Sequence, residues 1–282
     1  MSTQRVPRGE ERSGSLATIG LVGCGRMGRA IGGHVLDAGW ALTVTDVDPG
    51  AIEALVARGA SPADDPGGVA GASDLVLVVV VDDEQVRGVI EGPGGVLDAA
   101  ESGTIVAICS SVRPDTCTSS AALGAARGVE VIDVALVRGE RGAEAGELLL
   151  LCGGQEATID RCRPAFAAFA TDVVRVGDVG SGQVAKAANN ILLWACLRAD
   201  LEALRLGRAL GVEPATLRSV LALGSGANRP LTEWGEHRLR WPAKDLEVAS
   251  ALAAEAGIDL PLVRALAPLM NETSVEQLHE LL

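Results

Sequence analysis

Gly23, Gly25 and Gly28 stand in "GLVGCGRMG" with the spacing G-x-G-x-x-G, and Asp46 follows them at the end of the next apolar run. Glycines so spaced do phosphate chemistry with their backbone. The first permits a tight turn, the second lets the main chain approach a pyrophosphate, and the third lets helix and strand pack closely. The helix start behind them offers unpaired N–H groups and the positive end of a dipole. Asp46 would accept hydrogen bonds from ribose hydroxyls and repel a 2′-phosphate, which favours NAD over NADP; Val47 follows it where an arginine would have suited NADP. Arg26 reads either as a phosphate ligand or as a solvated first-turn arginine.

A second chemical pattern lies in "SGQVAKAANNILLWACL", residues 181–197, an apolar helical stretch that carries Lys186, Asn189 and Asn190. Lys186 and Asn190 are four apart and share a helix face, whereas Asn189 is turned about 100° away. Burial disfavours an ammonium, and an amine so placed can exchange a proton with a substrate hydroxyl or carbonyl. Asn190 can hold that amine or the substrate. The plainer alternative is a snorkelling lysine on a surface helix. Asn inside a helix is less usual, because its amide competes with the backbone.

The elements that must position these residues follow from the apolar pattern. "ATIGLV" (17–22), "ALTVTD" (41–46), "DLVLVVVV" (74–81), "GTIVAIC" (103–109), "VEVIDVAL" (129–136), "ELLLLCG" (147–153) and "TDVVRVG" (171–177) read as strands separated by helical stretches. Such alternation predicts an α/β domain with a doubly wound parallel sheet over residues 17–179. After Gly180 no strand is expected. About 29 residues without proline, beginning "GQVAKAANN", predict a long helix, which leads an all-α domain over 180–282. Residues 1–16 read as a disordered tail.

Composition narrows the class of function. The 282 residues are 48% hydrophobic and carry a net charge of −13, which argues against a nucleic-acid partner. The six cysteines form no C-x-x-C pair and the three histidines are scattered, so a reduced compartment and no metal site are expected. The longest apolar runs, such as "LVLVVVV" at 75–81, fall far short of the roughly 20 residues that span a bilayer. No apolar leader opens the chain, so a soluble, cytoplasmic protein without a membrane partner is expected.

Taken in order, four stretches resemble the β-hydroxyacid dehydrogenases, the family of 3-hydroxyisobutyrate dehydrogenase and its relatives. They are "GLVGCGRMGRAIGGHVLDAGWALTVTD", "CSSVRPDT", "IDVALVRGERGAEAGELLLLCGG" and "GSGQVAKAANN"; a later "AKDLEVA" is similar to the family's K-D-L element. The resemblance implies an oxidoreductase that moves a hydride between nicotinamide and a small 3-hydroxy acid or its semialdehyde. It implies Lys186 as general acid/base with Asn190 beside it, Ser111 near nicotinamide and substrate, Met27 within the glycine motif, and Lys244 approaching the cofactor from the helical domain. It also implies a homodimer or homotetramer. Asp245 reads as a surface or helix-start residue, and Trp194 as helix core.

The chain departs from the family where D-A-P-V-S-G-G becomes Asp133 to Gly139. Val137 replaces a serine and Arg138 a glycine. Arg138, with Gly139, could bind a substrate carboxylate, since a guanidinium does so bidentately; it could equally reach solvent or pair with Glu140. The alternatives are a decarboxylating 6-phosphogluconate-type relative, an imine-reductase-like relative, and a dinucleotide-binding protein without catalysis.

Overall fold

A computed structural model describes residues 16–282. Residues 1–15, nearly all of the expected tail, lie outside the described residues. Leu16 packs against the core. The chain forms two compact units, one running to Gln183 and one comprising Val184–Leu282.

The first unit holds one eight-stranded sheet. Its strands are β1 (Thr18–Val22), β2 (Ala41–Thr45), β3 (Ser61–Pro62), β4 (Leu75–Val78), β5 (Ile105–Ile108), β6 (Glu130–Val137), β7 (Leu148–Gly153) and β8 (Ala170–Gly177). They lie in the order β3-β2-β1-β4-β5-β6-β7-β8. Successive side chains of a strand point to opposite faces, and each face here has its own core. Leu75 and Leu77 join the core on one side with Ile19 and Leu21; Val76 and Val78 join the other with Val22 and Ile108. That is why β4 reads as uniformly apolar.

All seven expected strands are present, with three differences. The two-residue β3, which pairs with β2 through Thr43 and Val44, was not expected. β4 stops at Val78 although the apolar run continues. Val80 and Val81 leave the sheet and donate their N–H groups to Ser110 Oγ (2.8 Å) and Gln85 Oε1 (3.0 Å). Finally, the sheet is not wholly parallel, because β6 and β7 are antiparallel. A parallel return needs a crossover of about a dozen residues or more. The short link here carries only the helix Gly139–Ala145, and it turns the chain back with left-handed backbone at Arg138 (φ 80°), Gly139 (φ 62°) and Gly146 (φ 70°).

The second unit is all-helical, as expected. The long helix Ser181–Ala209 contributes most of its length to it. Trp194, Leu197, Leu201 and Leu204 form its core stripe, packed with Leu231, Trp234, Leu246, Val263 and Leu266. Their three- and four-residue spacing keeps them on one face. Lys186 and Asn190 head that same stripe. Among the described residues no helix is long and apolar enough to cross a membrane.

Candidate active site

In the first unit the glycine loop joins β1 to the helix Arg26–Asp37. Gly23 has φ +94°, and a Cβ there would lie 2.2 Å from the Val79 carbonyl oxygen. A Cβ on Gly28 would lie 1.9 Å from the Gly23 carbonyl oxygen, so helix and loop touch at that point. Gly25 differs: a Cβ there would meet nothing within 4 Å. The helix has Gly25 as its N-cap with no side-chain cap and no acid in its first turn. Open space, free amide hydrogens and an uncapped helix start are what an approaching phosphate needs, and a nicotinamide dinucleotide fits this loop.

Asp46 has a structural duty. Its Oδ2 accepts the Cys24 N–H at 2.6 Å and its Oδ1 accepts the Asp48 N–H at 2.9 Å. The acid thus ties the glycine loop to the end of β2. Each carboxylate oxygen retains a lone pair for a ribose hydroxyl. Val47 beside it is fully exposed. Met27 is partly buried against the core. Arg26 is exposed at the first turn, as one of its two readings had it, and its Nε donates to Glu140 Oε1 at 2.7 Å.

Asp133 was quoted above without a role. It is fully buried at the end of the parallel part of the sheet. Its carboxylate accepts the N–H groups of Gly180 (2.5 Å) and Gln183 (3.0 Å) at the start of the long helix. Burial pushes its carboxyl above the ordinary value, against the pull of those backbone donors. Gln183 continues the connection. Its amide donates to the Ser110 carbonyl (2.9 Å) and accepts from the Val112 N–H (3.3 Å), so it clasps the loop that carries Ser111. Ser110 is buried and bonded to the Val78–Val80 backbone, whereas Ser111 remains partly accessible. An acid within an apolar strand run was the available signal for Asp133; nothing local marked Gln183.

Arg138 does not pair with Glu140, one of the partners foreseen for it. Its guanidinium donates to Asp172 Oδ2 (2.7 Å), Thr171 Oγ1 (2.6 Å) and the Glu147 carbonyl (2.8 Å). It holds the β7–β8 edge together, while Glu140 is taken by Arg26.

In the second unit Lys186 is partly buried, with Asn190 one turn on and Trp194 one turn further. The three converge on Asp245, in the first turn of the helix Pro242–Ala256. Trp194 Nε1 donates to Asp245 Oδ2 at 2.9 Å. The Asn190 side chain also bonds that carboxylate, and Lys186 and Lys244 bring positive charge to it. Asn189 Nδ2 donates to Asn190 Oδ1 at 3.2 Å, which orients the amide. Asp245 stands at a helix start, as one of its two readings had it, and is partly buried there. Burial raises its carboxyl above the ordinary value, and the Trp194 bond and the lysines pull it back. Trp194 is core, as expected, but its indole N–H also does polar work. Of the other tryptophans, Trp234 is buried and bonded to the Leu278 carbonyl at 3.0 Å, while Trp241 is exposed.

Residues 18–177 match the family described as the NAD binding domain of 6-phosphogluconate dehydrogenase. Residues 180–281 match the one described as the NAD-binding domain of NADP-dependent 3-hydroxyisobutyrate dehydrogenase. The chain is 31% identical to 2-(hydroxymethyl)glutarate dehydrogenase of Eubacterium barkeri over 86% of its own length and 85% of that protein's. The chain belongs to the β-hydroxyacid dehydrogenase family. A further member, 3-hydroxyisobutyrate dehydrogenase of Pseudomonas aeruginosa, is 31% identical over 80% of this chain and 75% of that one. The fold is that of the Mycobacterium tuberculosis 3-hydroxyisobutyrate dehydrogenase, solved with L-serine. That structure has a TM-score of 0.85 at 24% identity, covering 94% of this chain and 99% of the other. As a β-hydroxyacid dehydrogenase the protein is an oxidoreductase of small hydroxy acids that uses a nicotinamide dinucleotide. The non-catalytic alternative is thereby set aside.

Proposed function

We propose that Lys186 is the general acid/base for interconverting a small 3-hydroxy acid and its carbonyl form, with NAD as the preferred cofactor. When bound, a nicotinamide dinucleotide would supply the hydride chemistry; the protein must supply position and a proton. In the oxidising direction the Lys186 amine takes the hydroxyl proton, and in the reducing direction its ammonium gives the proton back. Asn190, its amide oriented by Asn189, holds the lysine face in register. Ser111 offers a hydroxyl to the substrate. The backbone from Gly23 to Gly28, with Arg26 and Met27 flanking, would take the pyrophosphate, and Lys244 would add positive charge toward the cofactor. Asp46 supports NAD, since a carboxylate disfavours a 2′-phosphate.

The observation that carries this reading is a lysine set on the core-facing stripe of a helix and met there by a carboxylate. Lys186→Ala is expected to lower kcat by roughly 10²- to 10⁴-fold, the usual contribution of a proton-transfer group, with NAD binding intact by fluorescence titration. Near-parental turnover on 3-hydroxyisobutyrate, L-serine and 2-(hydroxymethyl)glutarate would remove Lys186 from the mechanism. Comparing kcat/KM for NAD and NADP tests the cofactor preference.

The family also suggests an assembly of two or four copies. Val184, Leu192 and Leu206 are all exposed on the long helix. At about 100° per residue they share the face opposite its core stripe. A second copy of this chain is the occupant we infer for that face.

A further inference from the structure

We propose that Asp245 is a positioning residue for Lys186, and that the Trp194 indole is what fixes Asp245; the inference rests on the acid/base reading above. Lys186, Asn190 and Trp194 follow one another at four-residue steps on one helix face, and all three act on the same carboxylate. A first-turn acid that merely favoured the helix dipole would need no such convergence.

Each partner contributes something different. Trp194 is only 7% exposed and packs among Leu197 and Leu246, so its ring is held firmly. Its Nε1–H is a donor only and does not titrate in the ordinary range. It can aim the carboxylate at 2.9 Å but cannot neutralise it. Leu246, the next residue along, is 1% exposed and anchors the backbone beneath Asp245. The cations acting on the carboxylate are Lys186 and Lys244. Because its anchors are an indole and an amide, neither of them charged, the cations left to meet the carboxylate are these lysines. A fixed anion beside an amine favours the ammonium and sets the direction in which it points. Lys186 is thereby held charged and aimed as a proton donor until a substrate engages it.

The first readout needs neither substrate nor cofactor. Reductive methylation of Lys186 in the full-length protein, followed by mass spectrometry across a pH series, reports the fraction of free amine. Asp245→Asn keeps shape and an acceptor for the indole while removing the charge. It is expected to move the midpoint for Lys186 down by roughly one pH unit. Trp194→Phe is expected to move it the same way by less. The second readout is steady-state oxidation of 3-hydroxyisobutyrate, L-serine and 2-(hydroxymethyl)glutarate with NAD. Here kcat should fall roughly tenfold or more in Asp245→Asn, KM should stay near the parental value, and the rising limb of the pH profile should shift to lower pH. An unmoved labelling midpoint and an unmoved pH profile in folded Asp245→Asn, checked by circular dichroism, would overturn the proposal. Lys186→Ala is assayed alongside. If it retains turnover, the acid/base reading fails, while the labelling midpoint still decides whether Asp245 governs the amine.

Discussion

Single side chains and single hydrogens decide what the glycine loop can do. Gly25 and Gly28 differ in what a methyl would meet, so they should fail differently. Gly28→Ala sets a Cβ against the Gly23 carbonyl and is expected to lower thermal stability markedly. Gly25→Ala has open space, so its unfolding temperature should match the parent while dinucleotide affinity drops about tenfold or more, measured by fluorescence titration. Equal losses of stability in both would refute this division. Arg138→Ala should leave the KM for hydroxy-acid substrates within about twofold, because its guanidinium is already held by Asp172, Thr171 and Glu147; a tenfold rise would restore it to the substrate. The structural duties of Gly23 and Gly28 were legible because each glycine is improbable in its setting without a reason. The surroundings of Asp245 were not, since an acid near a helix start is ordinary, and only the packing of the Pro242–Ala256 helix against the long helix brings it to Trp194.

Among the elements, the start of the long helix is organised by a carboxylate buried in the sheet. Asp133→Asn should destabilise the protein by about 1–3 kcal/mol, since an amide cannot accept both N–H groups as well. The pH dependence has a definite sign. Burial raises the folded-state value of Asp133 above its unfolded one. Its contribution is therefore complete below the ordinary carboxylate range, near pH 4, and declines as pH climbs through the raised value. Thermal unfolding of parent and variant across pH should show the deficit narrowing as pH rises; a widening deficit would put the shift in the other direction. The central strands could be read from sequence because both their faces are buried. The reversal between β6 and β7 could not, because a left-handed arginine at Arg138 is a backbone state that residue type does not announce. Nor could the two-residue β3, which has too few positions to show a period.

At the scale of the whole molecule, charge and apolar surface bear on the contact between copies proposed above. A net charge of −13 disfavours indiscriminate association, so a specific contact needs an apolar face, and the outer side of the long helix supplies one. Leu192→Glu combined with Leu206→Glu places charge on two exposed positions, at 66% and 64% accessibility. The helix should stay folded, while sedimentation velocity should show a shift from oligomer to monomer. An unchanged sedimentation coefficient would locate the contact elsewhere. The buried thiols add an independent check on the first unit. Burial, with Asp46 nearby, pushes Cys24 up to about 12. At pH 8 it should resist maleimide in native protein and react once unfolded, as mass spectrometry can follow.

The structural duty of Asp46, beside the ribose contact and NAD preference proposed for it, bears on how such an enzyme could change its electron carrier over generations. Losing the acid would release the Cys24 amide and loosen the turn that every dinucleotide needs. The neighbouring valine supports nothing, its side chain standing wholly in water. A lineage drifting toward the phosphorylated carrier would therefore recruit a cation at position 47 first and keep its carboxylate, arriving at dual use before any reversal of preference.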